Sequence, residues 1–143
     1  MASEISKTDL QQLKPEAPFF IGVDSDGCVF DSMELKHKEC FCPAFINHYG
    51  LQGVSGFARE TWEFVNLYSK TRGANRFVAV VETIRLLNQR PQVLQQLGGP
   101  IDFSELEGWI ANETRLSGPV LQEFLEEKGD SVSADSILRA SLA

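Results

Sequence analysis

The sequence predicts an α/β chain: one interior strand near the N-terminus, then a mostly helical remainder, with the sheet incomplete. Three observations carry this. Phe19-Phe20-Ile21-Gly22-Val23 is a short, continuous, β-prone run that stops at Asp24, the pattern of a strand buried on both faces of a parallel sheet. From residue 33 onward the apolar residues recur at three- and four-residue spacings, the period of amphipathic helices. No second convincing strand is present, and a lone strand cannot satisfy its own backbone or bury both its faces.

Taken in order, residues 1–18 form a flexible lead-in with room for one helical turn around Leu10 and Leu13. Pro15 and Pro18 deliver the chain into the strand, and Pro18 and Gly27 bracket a run too short for a core helix. Residues 19–32 are the strand and the loop after it. Asp31, with Glu34 three residues on, resembles a capping box opening a helix. Phe41, Ala44, Phe45 and Tyr49 share one face of that helix; Pro43 must kink or restart it, and Gly50 stops it. Ser55 caps a second helix in which Ala58, Trp62, Val65 and Tyr68 recur at helical spacing, with Trp62 read as a core aromatic.

Residues 69–76 read as a polar loop entering a third helix, whose stripe is Phe77, Val80, Val81, Ile84 and Leu87. Arg90-Pro91 ends that helix. Val93, Leu94 and Leu97 mark a short one closed by Gly98-Gly99-Pro100. Ser104-x-x-Glu107 resembles a capping box before Trp109 and Ile110. Ser117-Gly118-Pro119 opens a helix carrying Val120, Leu121, Phe124 and Leu125, with Gly129 after it. Residues 131–143 start a further helix through Ile137, Leu138 and Leu142.

The chain of 143 residues is long enough for one domain with a modest core. A formal net charge of −7 disfavours nonspecific binding to nucleic acid or to an anionic membrane. No apolar run approaches the roughly 18 residues of a membrane span, and no secretory h-region is visible, so a cytoplasmic location is expected. Cys28, Cys40 and Cys42 have no framework spacing, and Cys40-x-Cys42 with His37 and His48 departs from zinc-finger spacing.

The chemistry is concentrated after the apolar run. Asp24 and Asp26 are one residue apart, and two carboxylates that close repel unless a cation or proton sits between them. A hard divalent cation with oxygen ligands, Mg²⁺, supplies that charge. A carboxylate can act as a nucleophile and form an acyl phosphate, and a neighbouring carboxyl can pass a proton to the leaving group. Gly27 permits a turn that a Cβ would hinder. The plain alternative is an acidic turn, since Asp, Ser and Gly are ordinary turn residues.

Val23-Asp24-Ser25-Asp26-Gly27-Cys28-Val29-Phe30-Asp31-Ser32 resembles the first motif of the haloacid dehalogenase (HAD)-like superfamily, mostly Mg²⁺-dependent phosphatases and phosphomutases on a Rossmann-like core. The resemblance implies that residues 19–23 are the first strand of that core. It implies that Asp24 is nucleophile and metal ligand, and that Asp26 is general acid/base and offers its backbone carbonyl to the metal. Cys28 stands where the family usually has Thr. Residues 33–130 look like the helical cap that many members insert after this motif, and 131–143 like a truncated return to the core. A phosphohydrolase acting on a small phosphorylated metabolite is the implied activity. A phosphomutase would use the same residues, whereas the dehalogenase branch lacks the second aspartate. The missing strands are then expected beyond Ala143, which makes the chain the N-terminal part of a longer enzyme, inactive or weakly active alone.

Lys70, Arg72 and Arg76 form a positive patch in an acidic protein, with no acid between Glu63 and Glu82. They are the candidate substrate-binding residues, since Arg presents a planar fork suited to phosphate; a solvated interhelical turn is the plainer reading. Gly129-Asp130-Ser131-Val132-Ser133-Ala134-Asp135 looks like an acidic metal-binding motif of the same superfamily. It comes after a charged helix end rather than a buried strand, so it reads as a helix stop and restart. Two rival functions remain: a non-catalytic helical interaction module with both aspartates idle, and a dimer that completes the sheet between chains.

Overall fold

A computed structural model of the chain describes residues 8, 12, 14, 17–19, 21–132 and 136–142. Leu10, Leu13, Pro15, Phe20 and Asp135 lie outside the described residues, as does the side chain of Asp130. The chain divides into two units, Met1–Asp31 and Ser32–Ala143.

The described residues contain no strand, and the expected α/β class with its Rossmann-like first strand is corrected to a helical fold. In the first unit, Phe19 and residues 21–24 are irregular chain, and residues 21–31 are all exposed. The physical reason is backbone pairing. An extended segment leaves its N–H and C=O groups to a neighbouring strand, and the described residues offer none. A helix closes its hydrogen bonds within itself, so only the helical segments reach a regular state. The single β-like feature among the described residues is an isolated bridge between Asp26 and Phe30, inside the turn after Asp24.

The second unit is a set of packed helices. The first, α1, spans residues 33–48 in three pieces: Met33–Leu35, a π-helical turn Lys36–Phe41, and Cys42–His48. Pro43 has no N–H to give to the turn before it. The wide turn comes immediately upstream and the α-helix restarts at Cys42-Pro43, as the proline requires. Ser32, not Asp31, is the N-cap, and Glu34 turns outward to Lys38 at 2.7 Å instead of closing a capping box.

A 3₁₀ turn, Gln52–Val54, leads into α2, residues 55–68, which is α-helical over Ser55–Glu63 and π-helical over Phe64–Tyr68. Ala58, Trp62 and Val65 are buried on the expected stripe, but Tyr68 is exposed and Leu67 takes the buried place. The π turn explains the swap. Its i→i+5 spacing takes more residues per turn than the α-helix, so the face drifts off the four-residue stripe.

The central helix, α3, is Arg76–Leu87. Asn75 caps it by accepting from the Phe77 N–H at 3.0 Å, and its amide donates to the Leu116 carbonyl at 2.9 Å. Phe77, Val80, Val81, Ile84 and Leu87 are all buried, as the stripe predicts. Thr83 is buried too, its hydroxyl donating to the Ala79 carbonyl four residues back. The helix packs on α2 and on α5.

Four shorter helices complete the unit. Pro91–Leu97 is α4, opened by its proline and closed by Gly98 at φ 76°, the left-handed geometry that glycine adopts without a Cβ penalty. Ser104–Asn112 is α5, where Asp102 rather than Ser104 does the capping, accepting from the Ser104 N–H at 2.9 Å. Glu107, expected in the box, pairs with Arg85 at 2.7 Å. Gly118–Lys128 is α6, opened at Ser117 and Pro119 as expected and succeeded by a 3₁₀ turn, Gly129–Ser131. Ile137–Ala140 is α7, capped by the Ser136 hydroxyl, and it packs on α5. No helix among the described residues is long and apolar enough to cross a membrane.

Candidate functional site

The acidic loop sits in the first unit. Residues 25–30 close into a compact turn: the Phe30 N–H reaches back to the Ser25 carbonyl at 2.9 Å, and the Gly27 N–H donates to the Phe30 carbonyl at 2.8 Å. Gly27 has φ 70°, where a side chain would be strained. Asp24 lies just before this ring and Asp26 within it, and both are exposed. Crossed main-chain bonds therefore hold Asp26 in a fixed turn, while Asp24 leads into it from irregular chain.

The predicted substrate cations lie in the second unit. Lys70 and Arg72 are in the loop of residues 69–75, and Arg76 is the first residue of α3; all three are exposed. Among the described residues, none of the three has a carboxylate partner within salt-bridge distance. The Arg76 guanidinium lies over the Phe77 ring, 4.6 Å from its centre. The loop is shaped by Ser69 and Thr71, whose hydroxyls both donate to the Val65 carbonyl freed by the end of α2.

The second unit also holds a feature that residue spacing alone did not announce: a cavity of about 700 Å³ between α1, α2, α3 and α7. Phe41, Ala44 and Phe45, the face expected on α1, line it together with Trp62 and Phe77. Phe45 stacks on Trp62 with ring centres 4.6 Å apart, and His37 meets Phe41 edge-on at 5.2 Å. The Tyr49 hydroxyl and Ser141 Oγ are 2.8 Å apart, and Ser141 donates to the Ile137 carbonyl at 2.7 Å. Tyr49 is thus the donor of the pair, and α7 is tied to the end of α1. Burial pushes the Tyr49 phenol up; its bond to Ser141 and the positive charge of Arg76 pull the other way.

Two wall residues carry buried polar atoms with no partner among the described residues, Trp62 Nε1 and His37 Nδ1. Burial lowers the His37 pKa and favours the neutral ring. Cys42 is fully buried in the core, and burial raises its thiol pKa. Trp62 was legible as a core aromatic, but its place in the wall of a cavity was not. The available signal was the make-up of the α1 face: a small alanine between phenylalanines leaves space where a larger side chain would fill it.

Among the described residues, no three His, Cys, Asp or Glu side chains converge as metal ligands. Compared with known proteins, the chain matches no family model, no curated protein and no solved structure.

Proposed function

We propose that the Asp24–Asp26 loop performs Mg²⁺-dependent phosphoryl transfer, as a HAD-like phosphohydrolase acting on a small phosphate monoester. One observation carries the reading: two aspartates flank a single serine at the mouth of a turn that the Gly27 conformation and two main-chain bonds hold in shape. The donor chemistry fits Mg²⁺, which is commonly held by one or two carboxylates together with waters and substrate phosphate oxygens rather than by a full protein cage. When bound, it offsets the charge of carboxylate and phosphate together.

In this reading Asp24 attacks phosphorus in line, the P–O bond to the leaving group breaks, and the phosphoryl group rests on the carboxylate. Asp26 gives its proton to the departing oxygen, then takes one from the water that hydrolyses the aspartyl phosphate. Lys70, Arg72 and Arg76 lie in the second unit, and no step is assigned to them. A phosphomutase would return the phosphoryl group to a second substrate oxygen instead of to water, with the same two aspartates. The exposure of Asp24 has a consequence: water is not excluded, and catalysis loses the gain that a closed site provides. Turnover is therefore slow.

The test is hydrolysis of an aryl phosphate with and without Mg²⁺. Slow turnover that requires Mg²⁺ and disappears in Asp24→Asn is expected. No turnover under any condition, or turnover that survives Asp24→Asn, overturns the reading. The cavity in the second unit favours a second reading, a helical binding module whose aspartates are idle, and absence of turnover would point there.

A further inference from the structure

The cavity between α1, α2, α3 and α7 has the attributes of a small-molecule site. Its volume, about 700 Å³, falls within the roughly 300–1,000 Å³ of ligand pockets, which are mostly apolar with a few placed polar groups. Its walls are rich in flat rings, among them Phe41, Phe45, Trp62 and Phe77. Such walls favour a planar guest that stacks or meets ring edges.

The polar groups narrow the class further. Trp62 is only 6% exposed and its indole nitrogen is itself buried, so it contributes ring surface to the wall rather than a donor. His37 Nδ1 is buried in the same way. Arg76 lines the same cavity, and no Asp or Glu among the described residues does. The site therefore offers a guest a cation and, among the described residues, no carboxylate to receive a cationic one.

We propose that this cavity binds a small aromatic anion, a flat ring carrying a carboxylate or a phosphate. The ring lies among Phe45, Trp62 and Phe77, and the anionic oxygens face Arg76. This binding rests on neither Asp24 nor its chemistry, because the cavity is lined wholly by residues of the second unit.

The experiment is calorimetric titration in Mg²⁺-free buffer with naphthoate, naphthyl phosphate and the uncharged naphthylmethanol. The phosphoryl-transfer reading predicts no turnover in that buffer, so failure of one reading is not failure of the other. At least one of the two anions is expected to saturate a single site and to bind about tenfold tighter than the alcohol, the size of one charge-assisted hydrogen bond. Whichever anion saturates assigns the head group. Arg76→Gln, at an exposed position, should erase that margin and leave the alcohol within about twofold. Ala44→Leu, also exposed and at the cavity wall, should weaken all three. Absence of saturable binding of either anion, equal binding of the alcohol, or anion affinity indifferent to both substitutions would each overturn the proposal. The three-ligand comparison on the unaltered chain decides the matter even if a variant fails to fold.

Discussion

Phe19, Ile21, Val23 and Phe30 are the same kinds of residue as Phe77, Val80, Ile84 and Leu87, yet their fates are opposite. The first set is 64–84% exposed; the second is at most 6% exposed. Apolar content does not separate them, because both runs are rich in large hydrophobes. What separates them is where the backbone hydrogen bonds go. Residues 76–87 make their own ladder and are free to turn one face inward. Phe19 and residues 21–23 are irregular, and the described residues supply no strand beside which they could pair. In these two segments burial and backbone satisfaction go together.

The contrast is most sharply tested by truncating one residue from each set. Phe77→Ala should destabilise the helical unit by about 3–5 kcal/mol, the range for large core truncations, because the ring is buried and meets Trp109 edge-on at 5.0 Å. Ile21→Ala should change stability by no more than about 0.5 kcal/mol, as for a surface position. Chemical denaturation followed by circular dichroism measures both. Comparable losses would mean that residues 19–23 are packed, and would break the contrast.

A smaller effect is expected at the start of α3. Asn75→Ala removes both the cap on Phe77 and the bond to the Leu116 carbonyl, and should cost about 1 kcal/mol. Asn75→Asp keeps the capping oxygen and should recover part of that loss in the same denaturation series; no recovery would show that the link to Leu116, not the cap, matters.

The smallest effect is a pH dependence confined to the helical unit. His37 has its pKa lowered by burial from the ordinary 6.5. The unfolded chain therefore takes up its proton first as pH falls. Stability contributed by the neutral ring is complete above the unfolded value, declines as pH drops through 6.5, and levels off below the depressed folded value. His37→Gln should flatten the stability profile in the weakly acidic range, above the region where the paired carboxylates Glu60 and Asp102 titrate. An unchanged slope in the variant would assign the dependence to other groups.

Much of the helical unit was legible because its signals were local. The stripe of α3, the proline start of α4 and its Gly98 stop, and the Ser117-Pro119 opening of α6 all appear where the residues place them. Two kinds of feature were not legible. Capping partners changed because Glu34 and Glu107 each found a basic side chain, Lys38 and Arg85, that competed for the carboxylate. The π turns at Lys36–Phe41 and Phe64–Tyr68 shifted faces that a strict helical period assigns, which exposed Tyr68 and buried Leu67.

Of the candidate site, the acidic pair and its glycine turn could be read as a motif. The strand that was to carry it could not, because strand formation depends on residues distant in sequence. The cavity depends on packing between four helices, and no window of sequence contains it.

Amide hydrogen exchange across the intact chain compares the two regions directly. The N–H groups of residues 21–24 should exchange at the rate of open chain, and those of residues 80–87 should be protected by global unfolding of the helical unit. Protection of residues 21–24 comparable to that of α3 would contradict the helical fold described here and restore a strand at that position.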